Sequence, residues 1–74
     1  MTTEEFVKKL AELMDTNAEL KLSTKLADVE DWDSLSMVSF FSFCNSTLNR
    51  RLDPEQIKGA LTVEDLFNLA EGKA

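Results

Sequence analysis

The chain has 74 residues, a formal net charge of −6, one cysteine and no histidine. A chain of this length forms one domain with a small core, and 43% hydrophobic with 30% charged residues is ordinary globular composition. Its acidity disfavours nucleic acid and anionic membranes as partners, and a lone cysteine without histidine excludes an internal disulfide and a zinc site.

The first residues lack the positive region and apolar run of a secretory signal, and no segment has the length of a membrane span. We therefore expect a cytoplasmic, monomeric protein without a membrane span.

The first predicted element is a helix over residues 3–14. Thr2 lies three residues before Glu5, which is the spacing of a capping box. Apolar residues then recur at helical spacing, namely Phe6, Val7, Leu10, Leu13 and Met14. We expect this apolar face to pack in the core.

Residues 15–32 carry no sustained helical period and predict a long loop. Four apolar residues are spaced along it, namely Leu20, Leu22, Leu26 and Val29. A loop anchored in this way crosses the bundle rather than leaving it. Trp32 is expected to pack on the protein rather than to stand exposed as a partner anchor.

A second helix is predicted to begin after Asp33, whose carboxylate suits an N-cap, and to run to about Asn49. Ser34 then occupies the first helical position. Residues 34–49 include no charged side chain. Helical spacing puts one group on a core-facing arc, namely Met37, Val38, Phe40, Phe41, Cys44 and Leu48. The opposite arc is polar, namely Ser36, Ser39, Ser42, Asn45, Ser46 and Asn49.

Leu35 and Phe43 fall within that polar arc. Leu35 follows Ser34 directly, so we expect it to contact visiting partners. Phe43 is expected either to do likewise or to cover a neighbouring loop.

The last third of the chain predicts two further helices. Arg50 and Arg51 suit the C-terminal end of the second helix, because the helix dipole favours cations there. Pro54 after Asp53 predicts a short third helix over residues 54–60. Thr62, with Asp65 three residues later, is predicted to cap the start of a last helix, and Gly72 is predicted to end it. The fold prediction is all-α: a small bundle of three main helices and a short third one, in a single domain over residues 1–74.

Ser34 is the candidate functional residue, and several kinds of chemistry can be set aside. A serine nucleophile needs a base, and the chain has no histidine to supply one. A calcium loop starting at Asp31 fails, because its sixth position is Ser36 rather than glycine and its twelfth is Ser42 rather than glutamate. Cys44 is interpreted as a small buried hydrophobe.

The triplet Asp33-Ser34-Leu35 at the start of a helix, in an acidic four-helix chain of this length, resembles the acyl carrier protein family. The resemblance covers essentially the whole chain, including the long leucine-anchored loop and the helix start at Thr62. It implies that Ser34 carries 4′-phosphopantetheine derived from coenzyme A, and that Asp33 is recognised by a phosphopantetheinyl transferase. It also implies a carrier that is not an enzyme, with no catalytic residue or metal site of its own.

The implied partners are the transferase and the enzymes that load and transfer acyl or aminoacyl groups, in a specialised fatty-acid, polyketide or peptide type pathway. The second helix differs from the strongly acidic one usual in fatty-acid carriers. Docking is therefore expected through the apolar residues Leu35, Val38 and Phe43. Phe40 and Phe41 are expected either to line a cavity for a short acyl chain or to be plain core. The alternative is a small helical protein-interaction module, with Leu35 and Phe43 as anchors and Ser34 incidental.

Overall fold

Four α-helices and one short turn of 3₁₀-helix make up the computed structural model, which describes residues 1–17 and 19–72. The α-helices are α1 (Thr3–Met14), α2 (Ser34–Ser46), α3 (Pro54–Lys58) and α4 (Val63–Glu71), with the 3₁₀ turn at Leu26–Asp28. The described residues contain no β-strand, only an isolated bridge between Lys25 and Thr62. The prediction of a small all-α bundle is confirmed.

Helix α1 begins and ends where the sequence predicts. The Thr2 side chain accepts from the Glu5 N–H at 3.2 Å, and the Glu5 carboxylate accepts from the Thr2 N–H at 2.8 Å. These two bonds satisfy backbone donors that a helix start leaves free. The helix ends at Asp15, whose left-handed backbone turns the chain away. Its core face buries Phe6 and Leu10, each 1% exposed.

One aromatic contact network joins α1, α2 and α4 in the core. The Phe6 ring meets Phe40 edge-on at 6.1 Å between centroids and Phe67 at 5.1 Å. Trp32 meets Phe40 at 6.4 Å, so the prediction that Trp32 packs on the protein is confirmed. Offset and edge-on arrangements of this kind are favoured by the charge distribution of aromatic rings.

The loop between α1 and α2 is held to the start of α4 by backbone hydrogen bonds. Val63 and Glu64 donate their N–H groups to the carbonyls of Thr24 and Leu22, both at 3.0 Å. In the other direction Leu26 donates to the Leu61 carbonyl at 2.9 Å. The loop thus satisfies first-turn donors of α4 that would otherwise need water. Since the expected anchors Leu20 and Leu26 are also buried, the loop is fixed at both backbone and side chains.

Helix α2 is rotated about its axis relative to the expected orientation. Ser36, Phe40 and Phe43 lie at positions i, i+4 and i+7, and all three face the core. Val38 was expected on the core-facing arc, but it is 61% exposed. Ser36 was expected on the polar arc, but it is 5% exposed. The polar and apolar residues of α2 are mixed around its circumference, so side-chain spacing alone did not define the buried side.

The position of Phe43 also differs from the expectation, because its side chain is 7% exposed and belongs to the core cluster. The Lys9 ammonium of α1 lies over its ring, 5.5 Å from the centroid. A side chain buried in this way is not available to a visiting protein. The expectation that Phe43 docks partners was therefore wrong, and so was its assignment to the polar arc.

Two helix ends come earlier than the sequence predicts. Helix α2 ends at Ser46 rather than near Asn49, and Asn49 has a left-handed backbone with φ of 55°. Helix α3 ends at Lys58 rather than at residue 60, because Gly59 forms its C-cap. The Asp53 N–H donates to the Gln56 side chain at 2.9 Å, which secures the start of α3.

The Arg50 side chain binds the C-terminal end of α4 rather than that of α2, where it was expected. Its guanidinium donates to the carbonyl of Glu71 at 3.2 Å, at the C-terminal end of α4. Gly72 ends α4 with φ of +75°, and a Cβ there would come within 2.8 Å of the Arg50 guanidinium. The cation stabilises the end of α4, where the helix dipole is negative. The positive φ is therefore the reason that glycine suits this position, since the flexible Arg50 side chain could move away from a Cβ.

Candidate functional site

The candidate site is built around the first turn of α2. Asp33 forms the N-cap, and its carboxylate accepts from the Ser36 N–H at 3.0 Å. The Ser36 hydroxyl donates back to the carbonyl of Asp31. These two bonds tie the loop before the helix to the helix itself, so the residue between them, Ser34, has a defined position.

Ser34 is the first residue of α2, as predicted, and the structure shows that it is exposed. Within residues 1–17 and 19–72 its hydroxyl has no hydrogen-bond partner. The chain has no histidine, and the hydroxyl is hydrogen-bonded to no carboxylate of the described residues, so no side chain is positioned to act as its base. What it offers is an accessible oxygen at a capped helix start, which suits modification by another protein.

The charge next to Ser34 is negative. Accepting the backbone N–H of Ser36 lowers the pKa of the Asp33 carboxyl below its ordinary value, so this group is ionised at neutral pH. The same bond uses a backbone donor of the first turn. The predicted role of Asp33 as helix cap is confirmed, while its recognition by a transferase stays a prediction.

An apolar groove of about 360 Å³ opens beside Ser34, between α2 and α3. Its lining residues are Ser34, Met37, Val38, Phe41, Pro54, Ile57 and Lys58. Of the two phenylalanines considered for a cavity, Phe41 lines this groove, whereas Phe40 is fully buried in the core. A concave apolar surface next to an accessible attachment point can shelter an apolar chain from water.

An exposed apolar pair lies on the outer side of α2. Leu35 is 77% exposed and Val38 is 61% exposed, one turn apart on the helix. Both are thus accessible to a partner, as the docking prediction requires; contact with a partner stays a prediction. Phe43, the third residue proposed for docking, lies in the core.

The thiol of Cys44 is not accessible to solvent. The residue is fully buried, and burial raises the pKa of its thiol to about 11. A thiol of this kind is neutral at physiological pH and unreactive. The prediction that Cys44 is a small buried hydrophobe is confirmed.

Two parts of the site were missed from the sequence. Ser36 was assigned to solvent, although a serine three residues after an N-cap aspartate can be placed by the cap itself. The far wall of the groove, formed by Pro54, Ile57 and Lys58, lies about twenty residues along the chain from Ser34. No local sequence pattern predicts a contact of that kind, because the contact depends on how α3 packs against α2.

Comparisons with known proteins identify no relative of this chain, so the site is interpreted from its geometry. No protein-family model matches the chain, and no match was found among curated proteins or solved structures. In the part of the chain that the structure describes, no helix has the length and apolar character needed to cross a membrane.

Proposed function

We propose that this chain is an acyl or aminoacyl carrier whose Ser34 bears 4′-phosphopantetheine. The observation that carries the proposal is the Ser34 hydroxyl, which is exposed, has no hydrogen-bond partner among the described residues and lies at the capped start of α2 within the triplet Asp33-Ser34-Leu35. A carrier needs no base of its own, because a separate transferase attaches the arm. The absence of histidine, which argues against a serine hydrolase, is compatible with this function.

The residues around Ser34 fit such an arm. The Ser34 oxygen would hold it through a phosphodiester, and the groove walls formed by Met37, Phe41 and Ile57 are suited to apolar parts of the arm or its cargo. When attached, the arm supplies a thiol that holds acyl groups as thioesters. The protein's own contribution is to hold the attachment point in place and to offer an apolar surface beside it.

Partner enzymes would dock on α2 next to Ser34. Leu35 and Val38 provide apolar contact area there, and α2 carries no charged side chain. Docking on this helix would depend on shape and apolar burial more than on charge, unlike docking on a strongly acidic helix. The acidic residues Glu30, Asp31 and Asp33 before α2 would supply the electrostatic attraction. The partners would be a phosphopantetheinyl transferase, loading enzymes and acyl-transferring enzymes of a specialised fatty-acid, polyketide or peptide pathway.

Under this proposal the chain is a substrate of other enzymes and not itself an enzyme. The cytoplasmic location and the monomeric state stay predictions from the sequence. The second candidate function is a helical interaction module without cofactor. The specific observation in its favour is the exposed pair Leu35 and Val38, since Phe43 is buried and cannot serve as an anchor.

The test is conversion of the purified protein with a promiscuous phosphopantetheinyl transferase, magnesium and coenzyme A, followed by intact mass. We expect a gain of one phosphopantetheine in wild type and in Ser42→Ala, which removes an exposed serine from the same helix. Ser34→Ala should gain nothing. A mass that never changes with several competent transferases would exclude the carrier and leave the interaction module.

A further inference from the structure

Lys58 lines the same groove as the candidate attachment point and forms no ion pair with the described residues. It is exposed and is the last residue of α3. Among the described residues the ion pairs are those of the N-terminus with Glu71 and of Lys9 with Glu12. Lys58 takes part in neither, although the chain carries a net charge of −6. Glu55, three residues earlier on α3, forms no ion pair with it.

A phosphodiester on Ser34 would have to be accommodated in acidic surroundings. Attachment adds one negative charge directly after Asp33, which is ionised and repels it. A helix start can offset such a charge with its free N–H groups. Here the Ser36 N–H is already used by the Asp33 carboxylate. The site therefore has a repelling neighbour and one donor fewer than an uncapped helix start.

We infer that Lys58 is the counter-ion of the phosphodiester at Ser34. It is the one charged residue in the groove lining, whose other members apart from Ser34 are apolar. An attraction between opposite charges is stronger beside an apolar surface than in bulk water. The inference rests on the proposed carrier function, and it adds a residue of α3 to the site that the motif on α2 does not include.

The experiment compares the thermal midpoints of the apo and holo forms, the holo form being verified by intact mass. The variants are Lys58→Gln, Lys58→Arg and, as matched control, Lys8→Gln, which removes an exposed lysine of α1 that does not line the groove. Measurements are made near pH 6.5, well below the ordinary thiol pKa of about 8.5, so that the phosphodiester is the only charge the arm adds. Because each variant is compared with its own apo form, any effect of Lys58 on α3 itself cancels.

The quantity compared is the thermal midpoint of the holo form minus that of the apo form. At low salt this difference should be about 2–4 °C higher in wild type than in Lys58→Gln, as expected for one partly exposed ion pair in a domain of this size. Lys58→Arg and Lys8→Gln should behave like wild type, and the difference should disappear near 1 M salt. An equal midpoint change in wild type and Lys58→Gln, with the arm verified by mass, would overturn the counter-ion while leaving the carrier function intact. A wild-type mass that never changes would refute both.

Discussion

Replacing Phe43 by alanine tests the rotation of α2 that the structure reveals. The side chain is 7% exposed and belongs to the core cluster, so its truncation leaves a cavity. Phe→Ala changes in cores cost about 3–5 kcal/mol. The total stability of a chain of this length is roughly 4–11 kcal/mol. Phe43→Ala should therefore lose a large fraction of the free energy of unfolding or fail to fold.

Leu35→Ala is the matched control, because Leu35 is on the same helix and 77% exposed. Its free energy of unfolding should stay within about 0.5 kcal/mol of wild type. The assay is urea denaturation followed by circular dichroism, with the slope compared between variants. A Phe43→Ala protein less than about 1 kcal/mol below wild type would refute the burial of Phe43 and restore it as a docking candidate.

Three further predictions concern the first turn of α2 and the core. Ser36→Ala removes the hydroxyl that bonds to the Asp31 carbonyl, and urea denaturation should show a loss of about 1 kcal/mol, whereas Ser42→Ala should be neutral. The folded-state pKa of Asp33 is lowered, so its stabilisation is present above the ordinary aspartate pKa of about 3.9 and is lost as pH falls through the folded value. The stability difference between wild type and Asp33→Ala should accordingly be constant near neutral pH and shrink below about pH 4; a difference that grows on acidification would contradict this. Cys44, whose pKa burial raises to about 11, should resist alkylation by iodoacetamide near pH 8 and react after unfolding in urea, and rapid alkylation of the native protein would contradict its burial.

Helix starts were predictable because their signals are local. Thr2 with Glu5, Asp33 before Ser34, and Thr62 with Asp65 each place a polar side chain within three residues of the N–H group it satisfies. Such a bond depends on few other parts of the fold. The start of α2, and with it the position of Ser34, could therefore be predicted before the structure was known.

The orientation of α2 could not be predicted in the same way. Apolar residues surround most of this helix, and a serine occupies a buried position next to the cap. The side that faces inward is decided by packing against α1 and α3. The groove beside Ser34 depends on the same packing, since its second wall comes from Pro54, Ile57 and Lys58. The exposure of Val38, one turn from the exposed Leu35, likewise follows from this packing.

The central claim, that Ser34 is the attachment point, is tested most directly by locating the modification within the chain. Trypsin cuts after Lys25 and Arg50 and releases residues 26–50 as one peptide, which holds Ser34 together with four other serines. Fragmentation of this peptide from transferase-treated protein should place one phosphopantetheine on Ser34 and none on the other four serines, namely Ser36, Ser39, Ser42 and Ser46. An unmodified peptide, or an arm on any other serine, would contradict the account.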